Sequence, residues 1–314
     1  MKYIETFHES ENIKDIYLVK QRTSAVTKTG KPYDNVILQD KTGSIEGKIW
    51  DPNSGGIDDF DALDYVEITG SVKEFNSALQ ISVTRARKAS PGEYDEADYL
   101  PVSSRNIEEM YQELLKYVNG IQNEHLNKLC RAFFVDDEGF IEKFKKSSAA
   151  KSIHHGFIGG LLEHTLSVVR LCEYYTGAYP LLKKDLLITV AMLHDIGKTK
   201  ELSSFPENDY TDDGQLLGHI VMGCEMVSKK IDEIPGFPDR LASEIKHCIL
   251  AHHGEYEFGS PKKPALMEAL ALNFADNTDA KLETISEQFR ATTNNGWLGF
   301  NRLLDSNIRK TTEL

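Results

Sequence analysis

Histidine and aspartate residues recur in the second half of this sequence, inside segments whose apolar residues follow a helical period. His164 lies in GGLLEHTLSVV, with Leu161 three positions before it and Val168 four positions after it. The doublet His194-Asp195 ends an apolar helical segment in AMLHDIGK. A buried imidazole or carboxylate without a partner costs several kcal/mol, so each of these side chains needs a hydrogen bond, an opposite charge or a metal ion.

The same residue types continue further along the chain, in LLGHIVMG, AHHG and NFAD. A single histidine on an apolar helix face is more often a paired core residue, because buried polar groups normally have partners. The repetition favours a metal site instead. Imidazoles and carboxylates without cysteine are typical ligands of Mn²⁺, Fe²⁺ or Zn²⁺ in hydrolytic sites, where one carboxylate can bridge two ions. The expected ligands are His164, His194, Asp195, His219, His252, His253 and Asp276.

The order of these residues resembles that of the HD superfamily of metal-dependent phosphohydrolases, whose fold is all helical. The resemblance covers roughly residues 150–290, and it is specific because Ile196, Gly197 and Lys198 complete the family's HDxGK form. It implies that Asp195 is shared between two ions. The remaining implied ligands are His164, His194 and Asp276 for one ion, and His219, His252 and His253 for the other.

One position departs from the pattern of some relatives. Relatives with three metal ions have a glutamate one turn before the first histidine, where this chain has Gly160. We therefore expect two divalent ions at most. Mn²⁺ is the expected ion, and Fe²⁺, Co²⁺, Zn²⁺ and Mg²⁺ are the alternatives.

Three residues are candidates for catalysis beside the metal ions: Asp195, Lys198 and His155. Lys198 lies three residues past Asp195 and can reach a non-bridging phosphoryl oxygen as a point charge, although a lysine at a helix end is also favoured at the surface. His154 and His155 stand in the glycine-rich stretch KSIHHGFIGG, which predicts a turn. Such a turn can place an imidazole over the cleft for substrate contact or proton transfer, and helix capping is an equal alternative.

The positions of these residues depend on the elements around them, and the first third of the chain predicts a different kind of element. Residues 12–88 contain five stretches typical of β-strands, separated by TKTGK, DKTGS, DPNSGG and the turn Phe75-Asn76-Ser77. Apolar and polar residues alternate strictly in residues 44–50 and 66–72. Five strands in such a short stretch predict a small closed barrel of the OB-fold type.

Residues 40–50 combine a DxTG turn with a strand that ends in an aromatic residue, and this pattern resembles the OB-fold modules that bind nucleic acid. Such modules capture single strands, because aromatic rings stack on bases and basic side chains follow the backbone. The alternatives are that the aromatics are core residues and that TRARK is a solvated face. The candidate contacts are Tyr33, Trp50 and Phe75 for bases, and Lys20, Arg22, Lys48, Lys73, Arg85 and Arg87 for phosphates.

The expected fold class is multidomain, a small all-β OB-fold barrel followed by an all-α HD-domain helical bundle. The barrel covers residues 1–90, a linker rich in proline and acidic residues covers 91–105, a helical prelude covers 106–150, and the HD phosphohydrolase domain covers 151–314. Asn106 is the expected N-cap of the first helix. The polar tail from Thr292 can serve as a contact surface in a homo-oligomer.

Composition excludes some classes of protein. The chain has a net charge of −13, which argues against tight non-specific binding of polyanions by the whole surface. Residues 1–90 carry 12 Lys and Arg against 14 Asp and Glu, a net of −2, so a nucleic-acid substrate is not excluded. No apolar stretch has transmembrane or signal-peptide character, so we expect a cytoplasmic protein with no membrane partner. The four cysteines lack metal-ligand spacing and are expected to be reduced.

The order of barrel, helices and the two HD motifs is similar over nearly the full length to the bacterial YhaM family of 3′→5′ exoribonucleases. The resemblance implies metal-dependent release of nucleoside 5′-monophosphates from single-stranded RNA, and also from single-stranded DNA as a second substrate. Two alternatives stay open. The first is a phosphohydrolase of a small cyclic or diphosphorylated nucleotide, with the barrel as a sensing or assembly domain. The second is a single-strand binding protein with a decayed metal site.

Overall fold

The computed structural model describes residues 1–27, 29–75, 78–151, 155–290, 292, 294–301 and 304–312. These residues form two compact units, Met1–Pro101 and Val102–Leu314, each with its own hydrophobic core. Across the described ranges, helices that combine the length and the apolar character needed to cross a bilayer are absent.

The first unit is a closed five-stranded barrel, as predicted. Its strands are β1 (Asn12–Val26), β2 (Pro32–Asp40), β3 (Gly43–Ile49), β4 (Tyr65–Phe75) and β5 (Ala78–Lys88). The order is β1-β2-β3-β5-β4, with β4 closing antiparallel onto β1 and β3 parallel to β5. Successive side chains of a strand point to opposite faces, so the alternating apolar residues fill the barrel interior.

The segment after β5 packs on the barrel, although we predicted a linker from residue 91. Tyr94 stacks on Tyr65 with ring centroids 3.8 Å apart, and Tyr99 meets Tyr65 edge-on at 5.0 Å. The side chain of Gln39 donates a hydrogen bond to the carbonyl of Tyr99. Leu100 is also buried. The acidic residues dominate the composition of this stretch, but its tyrosines and leucine decide where it lies.

The second unit is mainly helical. Its helices are α1 (Ile107–Gly120), α2 (Glu124–Phe134), α3 (Glu138–Lys146), α4 (Gly160–Ala178), α5 (Lys184–Leu193), α6 (Lys198–Glu201), α7 (Asp212–Asp232), α8 (Asp239–Leu250) and α9 (Met267–Arg290). Asn106 caps α1 as expected, because its side chain accepts a hydrogen bond from the backbone of Glu109. Helices α1–α3 share one hydrophobic core with α4, α5, α8 and α9, so the helical prelude is part of the same packed body.

A short β-hairpin, which we did not predict, follows α9. Strands β6 (Trp297–Asn301) and β7 (Ser306–Arg309) pair antiparallel. Trp297 and Phe300 are exposed on this hairpin. Two strands of this length bury little apolar surface, so their sequence carries only a weak alternating pattern.

Candidate functional site

Five helices bring the seven predicted metal ligands into one cluster. Helix α4 carries His164, His194-Asp195 follow α5, and α7 carries His219. His252 and His253 directly follow α8, and α9 carries Asp276. Helix α5 is buried along almost its whole length, from Leu186 to Leu193. A chain that continues from such a helix necessarily places the next residues inside, and His194 is fully buried.

One group of ligand atoms surrounds one oxygen of Asp195. The Nε2 atom of His164 lies 3.2 Å from Nε2 of His194 and 3.2 Å from Oδ1 of Asp276. The Oδ2 atom of Asp195 lies 3.3 Å from Nε2 of His164 and 3.4 Å from Nε2 of His194. Two imidazoles and two carboxylates therefore lie as close together as the ligands of one metal ion.

A second group surrounds the other oxygen of the same carboxylate. Asp195 Oδ1 lies 3.4 Å from Nε2 of His219 and 3.5 Å from Nε2 of His252. His253 completes this group, since ligating atoms of His219, His252 and His253 lie within 4.8 Å of one another. Asp195 thus turns one oxygen toward each set of ligands.

Every histidine of the cluster has its outer nitrogen Nδ1 hydrogen-bonded to an oxygen atom. The partners are Asp279 for His164, the carbonyl of Ala191 for His194, Glu201 for His219, the carbonyl of Ile249 for His252 and the carbonyl of Phe258 for His253. A carbonyl or carboxylate can only accept, so each Nδ1 carries the proton. The Nε2 atom of each ring then faces inward, which is the orientation of a metal ligand.

Three buried atoms of the cluster lack a hydrogen-bond partner among the described residues: Asp195 Oδ1, His219 Nε2 and His252 Nε2. Leaving such atoms unsatisfied is costly unless a cation lies between them. Nitrogen ligands lie about 2.0 to 2.1 Å from a zinc-sized ion, so ligand atoms around one ion are about 3 to 3.5 Å apart. The separations of 3.4 and 3.5 Å at Asp195 Oδ1 match this spacing, and the residues fit a divalent ion.

The electrostatics keep the carboxylates ionised. Burial tends to raise the pKa of Asp195, but the charges of Lys198 and His194 and the hydrogen bonds to histidine outweigh burial and hold it well below its usual value. The same balance, with the hydrogen bond to His164 as the main opposing cause, lowers the pKa of Asp276. Ionised carboxylates are the state that metal ligation requires.

The pKa values of three of the histidines are shifted, in different directions. Burial, together with repulsion from His252, lowers the pKa of His253 to about 4. Burial also lowers the pKa of His252. At His164 the effect of burial is outweighed by hydrogen bonds to Asp195, Asp276 and Asp279, and its pKa is raised well above the usual value. Three carboxylates therefore contact the ring of His164.

A close approach of α6 and α7 places His219 at the cluster. A Cβ atom at Gly197 would lie 2.0 Å from the carbonyl oxygen of His219, so only glycine allows this contact. Helix α7 is interrupted at Gly218, where φ is 72°, directly before His219. The glycine of the HDxGK motif thus acts through packing and brings the two helices together.

Known proteins are similar to this chain over most of its length. The HD domain family matches residues 161–281. A 3′-5′ exoribonuclease YhaM of Geobacillus sp. (strain WCH70) is 33% identical over 90% of this chain and 87% of its own length. The chain belongs to the YhaM family. A second member, 3′-5′ exoribonuclease YhaM of Listeria welshimeri serovar 6b, is 31% identical over 93% of this chain and 92% of its own.

The resemblance to the HD superfamily and to YhaM is thereby confirmed, and so is the metal dependence that an HD domain brings. The solution structure of the second OB-fold domain of replication protein A from Methanococcus maripaludis is also similar, at 23% identity. It covers 29% of this chain and 96% of that domain, with a TM-score of 0.24.

Two of the predicted catalytic side chains have well-defined neighbours in this YhaM-family chain. The ammonium group of Lys198 lies 2.7 Å from Asp195 Oδ2 and is mostly buried. His155 is buried behind the cluster, with Nε2 3.1 Å from Asp279 Oδ2. It faces Asp279, and its ring is only 2% exposed. His154 lies outside the described residues.

The barrel surface brings some of the predicted nucleic-acid contacts together. The rings of Tyr33 and Trp50 are 5.4 Å apart, and the ammonium group of Lys48 lies 5.4 Å from the Tyr33 ring. Trp50 is half exposed. Aromatic and basic groups are thus adjacent at the end of β3, while Lys48 also contacts Asn35 and Glu46.

The other predicted contacts lie on β1, β4 and β5. Phe75 is 62% exposed, and Lys73 lies close to it on the same strand. Arg87 forms ion pairs with Glu67 and Glu93, and these pairs neutralise the charge that a phosphate contact would use. Arg22 pairs with Asp34 in the same way. Within the described ranges three basic side chains of the set form no ion pair: Lys20, Lys73 and Arg85.

Two acidic residues at the metal centre were missed in the sequence analysis, namely Asp279 and Glu201. Asp279 lies one helical turn after Asp276 on α9, and Glu201 lies three residues after Lys198 in HDIGKTKE. The signal was present, because residues three apart on a helix share a face.

Proposed function

We propose that this protein is a metal-dependent 3′→5′ exoribonuclease that hydrolyses single-stranded RNA to nucleoside 5′-monophosphates with two divalent ions. Single-stranded DNA is proposed as a second substrate. The observation that carries the proposal is the carboxylate of Asp195, whose two oxygens face two separate sets of imidazole nitrogens. The relatives that match most of the chain carry the name 3′-5′ exoribonuclease.

The proposed ligands of the first ion are His164, His194, Asp195 and Asp276, and those of the second are Asp195, His219, His252 and His253. Divalent ions in such a site supply a nucleophilic water of lowered pKa and offset the charge that develops on the phosphoryl oxygens. Mn²⁺ is the proposed activating ion, since nitrogen and carboxylate ligands suit it.

Lys198 has two parts in this proposal. Burial lowers its pKa, but the charge and hydrogen bond of Asp195 outweigh burial and keep the pKa raised, so the side chain stays a cation. Its ammonium group holds Asp195 Oδ2 at 2.7 Å and orients the bridging carboxylate. When substrate is bound, the same ammonium group can donate to a non-bridging phosphoryl oxygen.

The barrel is proposed to capture the single strand. A base can stack on the exposed Trp50 beside Tyr33, while the unpaired Lys73 and Arg85 contact phosphates. Stacking tolerates any base, so this surface selects single-stranded character and not sequence. The polymeric substrate is therefore a joint property of the barrel and the metal centre.

The test uses one RNA oligonucleotide labelled at its 5′ end or its 3′ end, incubated with Mn²⁺, Mg²⁺, Co²⁺ or Zn²⁺. A 3′→5′ exonuclease converts the 5′-labelled RNA into a ladder of shortening products and releases the 3′ label at once as a mononucleotide. The ladder requires a metal ion and is abolished by EDTA. Turnover of a free cyclic or diphosphorylated nucleotide, with intact RNA, would instead identify a small-nucleotide phosphohydrolase.

A further inference from the structure

Two of the five metal-ligating histidines are supported by carboxylates, and the others by backbone carbonyls. His164 donates from Nδ1 to Asp279 Oδ2 at 2.7 Å, and His219 donates from Nδ1 to Glu201 Oε1 at 2.9 Å. The two supported rings belong to different halves of the cluster, one on each side of Asp195. Each half thus has one histidine whose partner is charged.

Glu201 holds His219 at two points. Its Oε1 atom accepts one hydrogen bond from the ring and a second, also of 2.9 Å, from the backbone N–H of the same residue. That N–H follows the interruption of α7 at Gly218. Glu201 therefore sets both the orientation of the ring and the point at which α7 resumes after Gly218. Its own side chain is nearly buried, so the geometry is restricted.

Asp279 is held in a comparable way from the other side. Its Oδ2 atom is shared between His164 and His155, whose Nε2 lies 3.1 Å away. The backbone of His155 occupies the space beside α4, because a Cβ at Gly160 would lie 2.0 Å from the carbonyl oxygen of His155. His155 thereby supports Asp279, which in turn supports His164.

We propose that Glu201 and Asp279 are positioning residues, one for each metal ion, and that each selectively strengthens the binding of its own ion. The inference rests on the proposed two-ion function. A carboxylate that accepts from a ligating imidazole fixes the ring and raises its basicity, and loss of such a partner costs about 10- to 100-fold in metal affinity. His155 acts through Asp279 in this arrangement.

The variants Glu201→Gln and Asp279→Asn keep the size of the side chain and remove its charge. The full-length protein is stripped of metal and titrated with Mn²⁺, and the two dissociation constants are measured by calorimetry and by the EPR spectrum of the bound ions. Each variant should weaken one ion by about 10- to 100-fold and leave the other within about twofold. His155→Gln should weaken the same ion as Asp279→Asn, by a smaller factor.

Proteins that already lack one proposed ligand, and therefore one ion, identify which ion each charge-removing variant affects. In His219→Ala, adding Glu201→Gln should change nothing further, whereas adding Asp279→Asn should weaken the remaining ion. In His164→Ala the two results should be exchanged. Glu225→Gln on α7 is the control, because Glu225 is exposed six residues beyond His219 and should leave both ions unaffected. Thermal unfolding of the metal-free variants identifies any that fail to fold, and Glu201→Asp and Asp279→Glu, which keep the charge, then take their place with a smaller expected loss.

Three results would overturn the assignment: unchanged affinities in both charge-removing variants, equal weakening of both ions by either variant, or a third ion in the wild type that is lost with Asp279→Asn. The last result would make His155, His164 and Asp279 a metal site in their own right. RNA degradation by the wild type is scored separately. Wild-type protein that binds two ions as described but leaves RNA intact would contradict the proposed function and leave the positioning roles standing.

Discussion

The orientation of each histidine ring in the cluster depends on which of its nitrogen atoms donates a hydrogen bond to the surrounding protein. All five rings donate from Nδ1 to an oxygen outside the cluster, so all five Nε2 atoms are available inside it. The Nε2 atoms of His164 and His194 face each other at 3.2 Å. The hydrogen bonds of the Nδ1 atoms thus fix the orientation of the rings.

Asp195 is the residue on which both halves of the site depend. Replacement by Ala should abolish hydrolysis of RNA, because the only carboxylate that reaches both sets of imidazoles among the described residues is lost. Bound metal, measured by elemental analysis, should fall with activity, whereas binding of a labelled RNA should persist. Asp209→Asn is the control, since Asp209 pairs with Lys151 at the surface. An active Asp195→Ala protein would refute the bridging role.

Trp50 is the barrel residue with the largest expected effect on RNA binding. Loss of one stacked base costs about 1 to 3 kcal/mol, so Trp50→Ala should weaken binding of a single-stranded RNA by roughly 5- to 150-fold. Fluorescence anisotropy in EDTA measures binding without degradation. Tyr174→Ala removes a still more exposed aromatic ring from α4 and should leave affinity unchanged. Equal affinities for all three proteins would exclude Trp50 from the contact surface.

At the scale of elements, close helix packing positions the ligands. Helix α6 is only four residues long, yet it carries Lys198 and Glu201 and begins against the backbone of α7. Helix α5 delivers His194 because it is buried along almost its whole length. Neither helix has a strongly amphipathic sequence. Each helix holds a few polar side chains at a fixed place inside the hydrophobic core.

Gly197→Ala tests this packing. Alanine is favoured over glycine in helices by about 1 kcal/mol, but a Cβ here would lie 2.0 Å from the carbonyl oxygen of His219. We expect the clash to lower the free energy of unfolding by about 1 to 3 kcal/mol, measured by urea denaturation of the metal-free protein. Gly177→Ala on α4 is the matched control, because its Cβ meets open space and should be neutral or stabilising. Equal stability of both variants would contradict the close approach.

At the scale of the whole molecule, two units with separate cores divide the work. The barrel core and the helical core are distinct, and the chain divides after Pro101. The metal centre lies entirely within residues 102–314. Under the proposed function, chemistry on a phosphodiester needs only the second unit, and capture of a long strand needs the first.

Removal of residues 1–101 separates these two tasks. Because the second unit has its own core, the truncated protein should fold and keep its activity on a dinucleotide or a chromogenic phosphodiester within a few-fold. Its kcat/KM on a long RNA should fall by at least about 10-fold, the loss of one good stacking contact. Initial rates on both substrates, compared with the full chain, measure the difference. An equal loss on both would mean that the barrel supports folding and not substrate capture.

The amino-acid sequence by itself determined the class of each unit and the residue types, histidine and aspartate, of the buried polar cluster. Alternation in residues 44–50 and 66–72 reflects a half-buried strand, and histidines within apolar helical patterns reflect buried ligands. These are local properties, because they depend on neighbours within about two helical turns. A pattern of that length is readable without knowing the rest of the fold.

Only the tertiary structure decided which partners the ligands have. His155 and Asp279 are separated by 124 positions in the chain, and His164 and Asp279 by 115, so no local period relates them. The packing of Tyr94 and Tyr99 on Tyr65 likewise depends on a surface made by distant strands. Local pattern tells which side chains turn inward, but only the packing of distant segments determines what each one meets there.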